Sequence, residues 1–413
     1  MEDILVVGAG IIGANAALNL TARGFRVHLA DAGEPGRGCS FGNAGIIAVD
    51  HVAPLASPDT LAGMPRMLLQ ADSPLKLHKR GIPKMAPWMA AFARQSLPAN
   101  FRRNTESLAS IVTMAAAAWR RLLAQPILND LYRDIGSLYV FERPADAGQE
   151  RRHLRLLDRH GVAYRNLDAA QVRRDYLPTL TERISHARYF PGMASITNPR
   201  LAVMRIVDAA IAAGARFVQA PVSEIRPLGD GRVSVRIGGD TRQFGKLLIA
   251  AGASSAVLAQ TLGFRIPITR ERGYHVQLAQ PSGAAISVPV SFVERGFTCN
   301  PMQDGIRLAG TVELGPPEAP DWRRAEMLAR QFGALFPSEP RPEIATRWFG
   351  DRPTLPDYLP MIDALPVVRN VFVATGHQHL GLTLGPLTGE LIAQRMAGET
   401  PAVDLTPFRA GRF

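Results

Sequence analysis

A chain of 413 residues exceeds the size at which a single hydrophobic core stops growing, and its 46% apolar content can fill the cores of two closely joined domains. The two cysteines, Cys39 and Cys299, make no disulfide framework, so a reducing, cytoplasmic setting is expected. The net charge of +11 is carried almost wholly by arginines scattered along the chain, with only four lysines and no basic run interleaved with aromatics; this argues against nucleic acid and points to anionic substrates or an anionic lipid surface.

Asp3 to Val7 reads as a short β-branched strand, Gly8-Ala9-Gly10-Ile11-Ile12-Gly13 as a turn into an apolar helix that ends at Gly24, and Phe25 to Ala30 as a second strand leading to Asp31. In a strand-turn-helix context the first glycine permits the tight turn, the second admits a pyrophosphate, and the third lets the helix lie close to the sheet. Phosphate charge then sits at the positive helix end. Asp31 is spaced to accept from a ribose 2′-hydroxyl, which argues against a 2′-phosphate and leaves FAD or NAD. The apolar stretch Ile4 to Leu20 also resembles a signal peptide or membrane anchor in hydropathy. Glu2 and Asp3 stand where a basic region should be, and three glycines weaken a spanning helix, so the nucleotide reading is preferred.

From His51 to Ser107 the chain is punctuated by proline and glycine, with short helices expected over Leu61–Leu69 and Met85–Phe92. A longer one follows over Ser107–Leu123. A strand is expected at Gly136–Phe141, an amphipathic helix from about Ala145 to His160, and a helix from the N-cap Asn198 to Gly214. Arg216 to Glu224 alternates as one strand, and a hairpin at Gly229-Asp-Gly231 leads into Val233–Ile237. Phe244 to Ala251 reads as a strand delivering Ala251-Gly252 to a second small-residue turn, where a cofactor would meet the sheet. Strands Gly273–Leu278, Val288–Val293, Phe297–Asn300 and Ile306–Glu313 follow, with one helix over Trp322–Leu335. The last seventy or so residues return to a strand, Val371–Ala374, a glycine-rich loop and a helix over Pro386–Met396.

Five motifs in order carry a family resemblance: the N-terminal unit with Gly38-Cys39-Ser40-Phe41-Gly42-Asn43-Ala44-Gly45, Thr197-Asn-Pro-Arg, Ile249-Ala-Ala-Gly-Ala-Ser-Ser255, Trp348 to Pro360 containing Arg352, and Gly376-His377-Gln-His379-Leu-Gly381-Leu382-Thr383. Together they resemble the D-amino-acid oxidase and glycine oxidase type of flavoprotein, and within it the D-amino-acid dehydrogenase branch. The resemblance implies an α/β fold: a doubly wound, Rossmann-type FAD domain (1–50, 145–265 and 345–413) with an inserted α+β, mixed-sheet substrate domain (51–144 and 266–344). It selects FAD over NAD and implies oxidation of an amino acid at Cα to an imine by hydride transfer to the flavin.

Arg352 is the implied carboxylate anchor, with pairing to Asp351 or Asp357 in a proline-rich turn as the structural alternative. Tyr274 and His275, adjacent in a strand, are candidates to orient the amine, although alternation lets only one face the flavin. Cofactor contacts are expected from Gly8, Gly10, Ile11, Ile12, Gly13, Asp31, Ala32, Gly38, Cys39, Ser40, Asn43, Ala44, Gly45, Ile46, Val222, Ala251, Gly252, Gly376, His377, Gly381, Leu382 and Thr383. His377 is expected to order its loop, and His379 reads as either solvent-facing or part of the pocket. Phe297 stands where the oxidases tend to carry a tyrosine hydroxyl. No metal is expected.

D-Proline or cis-4-hydroxy-D-proline is the favoured substrate on resemblance, and a quinone or respiratory chain is preferred over oxygen as electron acceptor. Two other functions stay open, the FAD subunit of a multi-chain opine or hydroxyproline dehydrogenase and a non-catalytic flavin-binding assembly factor. Met64, Met67, Leu68, Leu69, Met85, Trp88, Met89 and Phe92, interrupted by Lys76, Lys79, Arg80 and Lys84, suggest peripheral contact with the inner face of the cell membrane; the alternative is that these helices cover the substrate domain. Oligomeric state is left open.

Overall fold

The computed structural model describes residues 2–69, 73–144, 146–279, 286–340 and 343–413. Five parallel strands form most of the first sheet, in the order Arg216–Gln219, Arg26–Asp31, Asp3–Val7, Lys246–Ile249 and Val371–Thr375. Met361–Ala364 closes one edge antiparallel. The first helix, Ile11–Ala22, lies on this sheet and is buried almost all round, between Gly381–Ala397 and Pro199–Ala212. That burial is why its sequence looks like a membrane segment. Among the described residues no helix is long and apolar enough to cross a membrane. Gly385 and Gly389 on Gly381–Ala397 allow the close approach: a Cβ at Gly389 would lie 2.6 Å from Asn15 Cβ, and one at Gly385 2.6 Å from Ile11 Cγ1.

The second sheet has nine strands. Its main order is Ile344–Thr354, Thr269–Leu278, Gly305–Leu314, Phe297–Met302, Val290–Phe292, Ser137–Phe141, His186–Phe190 and Arg165–Asp168, with Leu75–Leu77 added parallel to Gly305–Leu314. Helix Trp322–Leu335 covers one face and shares an apolar core with it.

Three differences from the sequence reading have local causes. The run expected as one strand over Arg216–Glu224 breaks before Pro221; Arg216–Gln219 stays in the parallel sheet, while Val222–Pro227 enters a separate three-stranded hairpin sheet. Phe244 to Ala251 likewise changes sheets at Gly245, whose Cβ would meet Glu2 Cγ at 2.7 Å. Arg165–Asp168, His186–Phe190 and Ile344–Thr354 all join the nine-stranded sheet, although those segments were expected with the nucleotide unit. Ile344–Thr354 is its edge strand, the position in which a residue such as Pro353 is tolerated. The helix expected from about Ala145 runs Ala147–Arg159; residue 145 and the side chains of Leu69 and Lys79 lie outside the described residues.

Candidate active site

The glycine turn is built as the motif requires. Gly8 has φ +107°, and a Cβ there would lie 2.4 Å from the Ala250 carbonyl; a Cβ at Gly13 would collide with the Gly8 carbonyl at 1.8 Å. With neither side chain present, the helix starts directly above the strand. Its N-cap, Gly10, offers no side-chain cap, and the Ile11 N–H is met by the Ser40 hydroxyl at 3.0 Å. Asp31 accepts from the Ala9 and Gly33 backbone N–H groups at 2.7 and 2.9 Å, which fixes the turn and leaves carboxylate lone pairs for a further donor.

A cavity of about 590 Å³ opens at the carboxyl ends of the parallel strands. Its wall includes Gly8, Gly10, Ile11, Ile12, Asp31, Ala32, Gly38, Cys39, Ser40, Asn43, Val222, Ala251, Gly252, His377, Gly381 and Leu382. Gly13, Ala44, Gly45, Ile46, Gly376 and Thr383 do not line it. They shape its second layer: Asn300 donates to the Ala44 carbonyl at 2.7 Å, Ile46 pairs with Ser195, and Thr383 Oγ1 accepts from the Ala48 N–H at 3.0 Å. Gly376 has φ +80°, with Leu355 Cδ1 only 2.3 Å from where a Cβ would stand. The wall also holds Arg37, Ser254, Asp351, Pro353, Thr375 and Gln378, which pattern reading missed. Ser254, Asp351, Pro353 and Gln378 lie inside the quoted motifs, whereas Arg37 and Thr375 stand one residue outside them.

At the end of this wall, Arg352 spreads its guanidinium over Gly273, where any Cβ would strike Nη2 at 2.1 Å. Nη1 donates to Glu271 Oε1 at 3.0 Å and to the Thr311 carbonyl at 3.3 Å. Glu271 is 2% exposed, and its second oxygen accepts from the Thr354 and Tyr358 hydroxyls, both at 3.1 Å. Burial, with the adjacent Glu271 charge, holds the Tyr358 hydroxyl well above its ordinary range. Asp351 and Asp357, the partners offered by the sequence, are engaged elsewhere, with Arg272 and Arg412. Among the described residues only Nη1 of the Arg352 fork is hydrogen-bonded.

Neither Tyr274 nor His275 lines the cavity, and they face opposite sides of their strand. Tyr274 turns to the helix side, donating to Glu313 at 2.7 Å and accepting from the Asp321 N–H at 2.9 Å; burial and the Glu313 contact push its hydroxyl up to about 12. His275 stacks on Trp348 at 5.2 Å and donates Nδ1–H to the Gly42 carbonyl at 3.2 Å. It props the Gly38–Gly45 loop from behind, and burial, reinforced by Arg307, pushes it down to about 3. His377 is buried against the Thr388 hydroxyl at 3.0 Å, and its burial likewise lowers it to about 3. Cys39 opens to the cavity yet is ringed by protein on its other sides, with Asp351 O 3.0 Å from Sγ, and desolvation pushes its thiol up to about 11. Cys299 is buried in its strand, which raises its thiol as well.

A glycine cradle that a Cβ would fill, an uncapped helix end and a placed carboxylate together fit an adenine dinucleotide. They define the class as a dinucleotide-binding protein built on a parallel sheet. Residues 3–395 match the model of the FAD dependent oxidoreductase family (DAO), and the chain belongs to that family. It is similar to the D-amino-acid oxidase of Bradyrhizobium diazoefficiens, 31% identical over all of this chain and 99% of the relative. It is also similar to the D-amino acid dehydrogenase of Methylobacterium radiotolerans, 27% identical over 99% of each. In fold it resembles glycine oxidase from Geobacillus kaustophilus (TM-score 0.79, 23% identity, all of both chains) and L-proline dehydrogenase from P. horikoshii (TM-score 0.77, 16% identity, 100% and 97% covered). FAD is the cofactor.

Proposed function

We propose that the chain oxidises a D-amino acid at its Cα–N bond, giving the imine and then the 2-oxo acid or a cyclic imine. The observation that carries this reading is the Arg352 fork, held on one nitrogen by Glu271 and open on its other donors, next to Asp351 and Pro353 of the cofactor wall. The full-length likeness to a D-amino-acid oxidase supports it. Arg352 takes the substrate carboxylate and so places Cα; a near-attack geometry supplies roughly 7 to 11 kcal/mol of the barrier. Gly8, Gly10 and Asp31 would hold the dinucleotide, and the uncapped start of Gly381–Ala397 lies on the same wall. Bound FAD supplies a two-electron, hydride-accepting ring.

Compact cyclic amines, D-proline and cis-4-hydroxy-D-proline, are the first substrates we assign. The test is anaerobic: flavin absorbance is followed while a panel of D- and L-amino acids is added. Bleaching by D-amino acids is expected, and no bleaching by any amino acid of either configuration rejects the function.

We also propose a membrane-side electron acceptor. Helix Ile82–Gln95 turns Met85, Trp88 and Phe92 inward, where Phe92 meets Tyr358 at 5.9 Å and Trp88 Nε1 donates to the Thr354 carbonyl. Those three residues are buried over the site, in keeping with the alternative that these helices cover the substrate domain. The outer face that remains is apolar: Ile82, Pro83, Ala86, Pro87 and Ala90 are all exposed, beside Arg80, Lys84 and Arg94.

A further inference from the structure

Four titratable side chains meet beside the Gln378–Leu380 turn. His379 places Nε2 3.2 Å from Nδ1 of His51, with the rings edge to face at 5.1 Å. On its other side, His51 Nε2 lies 2.9 Å from the Tyr139 hydroxyl and 3.7 Å from Asp50 Oδ2. Asp50 is 6% exposed, and its Oδ1 has no partner among the described residues. His153 stands beside this set, within electrostatic reach of Arg188, Glu150, Asp50 and His51.

Hydrogen counting gives the cluster a direction, with tautomers assigned from the network. One hydrogen must lie between the two rings. Burial and the nearby Asp50 carboxylate hold the Tyr139 hydroxyl well above its ordinary value, so Tyr139 keeps its hydrogen. Its oxygen can then accept from His51 Nε2–H, which makes His51 Nδ1 the acceptor for His379 Nε2–H. The lone pair of His379 is left on Nδ1, which makes no hydrogen bond among the described residues. His379 also lies within electrostatic reach of Arg352; burial, His51 and that guanidinium together keep its ring neutral.

We propose that His379, oriented through His51, Tyr139 and Asp50, accepts the proton that the substrate ammonium must lose beside Arg352. This rests on the amine-oxidation reading above. The ammonium N–H bond breaks, its proton goes to His379 Nδ1, and the electron pair stays on nitrogen. That pair then forms the C=N bond as the Cα–H bond breaks and its hydride leaves for the bound cofactor. The imidazolium is shared through His51 toward Asp50, whose charge offsets it, as the carboxylate does for the histidine of a catalytic triad. A carboxylate docked on Arg352 also offsets the cation that disfavours a charged His379, so the ring becomes more basic only with substrate in place.

The test uses FAD-loaded wild-type, His379→Gln, Asp50→Asn and double-variant proteins, each checked by its visible flavin spectrum. Anaerobic reduction by a saturating D-amino acid is followed across the pH range. General-base catalysis contributes about 10²- to 10⁴-fold, so each single variant should slow the limiting reduction rate by at least about 10² and flatten its pH profile. The double variant should be no slower than the slower single one, because the residues act as a unit. Acetate, a carboxylate without an amine, should still perturb the flavin spectrum of His379→Gln at concentrations within about twofold of wild type, since Arg352 is intact. His51→Asn replaces Asp50→Asn if that variant loses its flavin. A His379→Gln rate within about threefold of wild type with an unchanged pH profile overturns the proposal, as do additive losses in the double variant. If no amino acid reduces the wild-type flavin, the amine-oxidation reading falls and takes the proposal with it, a result visible before any variant is made.

Discussion

Glu271 and the Thr311 carbonyl fix one nitrogen of Arg352, and the direction of the rest of the fork follows from those contacts. Arg352→Lys keeps the charge and loses the planar fork, so the substrate KM should rise about tenfold to a hundredfold with a smaller change in the limiting rate, read in steady-state kinetics. A fall in the limiting rate at unchanged KM would assign Arg352 elsewhere. Glu271→Ala strips the carboxylate from a buried ion pair and two hydroxyls, and should cost about 3 kcal/mol in denaturant unfolding. Two buried histidines set an acid limb. His275 and His377 sit near 3 in the fold against 6.5 as free imidazoles, so below 6.5 the unfolded chain binds more protons than the native one. Stability is therefore full above 6.5 and falls as pH drops toward 3, at up to about 1.4 kcal/mol per pH unit for each ring. His377→Asn should make that limb shallower in denaturation midpoints measured against pH; an unchanged slope would mean the ring already charges in the native state. Arg352 was legible from its motif, but Glu271, 81 residues away, was not, because their contact depends on the register between two strands that no local pattern encodes.

The joining of the first and last helices decides whether the cofactor turn keeps its shape. Gly389→Ala would press a methyl against Asn15 Cβ, 2.6 Å away, in the middle of the helix whose start carries Gly10 and Ile11. Overpacking of this kind costs about 1 to 3 kcal/mol, and the purified variant should lose FAD on dilution faster than wild type, followed by flavin fluorescence. Gly13→Ala is harsher, since its methyl would overlap the Gly8 carbonyl at 1.8 Å; that protein should purify colourless. A yellow Gly13→Ala protein with ordinary FAD retention would show that the helix can start further from the strand. Elements with a strong period or a clear stop were readable in the sequence: Asp3–Val7, the Asn198-capped helix Pro199–Ala212 and Trp322–Leu335 appear where expected. The misses were elements with no pattern of their own. Arg165–Asp168 is short and largely exposed, and it becomes a strand only by pairing with His186–Phe190.

Across the whole molecule, the nine-stranded sheet meets the cofactor wall at Asp351 to Pro353, and helix Ile82–Gln95 lies over the same end through Trp88, Phe92 and Tyr358. An acceptor approaching from that side would cross the outer face of this helix. Ile82, Ala86 and Ala90 recur at helical spacing, with Pro83 and Pro87 beside them, and cations at Arg80, Lys84 and Arg94 stand at the rim. The side chains on this face are small, so apolar insertion alone would be weak; each basic residue near an anionic surface adds about 1 kcal/mol. The FAD-loaded protein should therefore sediment with phosphatidylglycerol vesicles at low salt, release as salt rises and ignore phosphatidylcholine vesicles. Arg80→Glu together with Lys84→Glu should abolish sedimentation, while anaerobic flavin reduction by the amino-acid substrate stays unchanged. Ile82→Asp should weaken it at every salt concentration, separating apolar contact from charge. Binding that survives the paired charge reversal would move the membrane face elsewhere. If wild-type protein ignores anionic vesicles altogether, a soluble acceptor becomes the better account of how the reduced flavin is reoxidised.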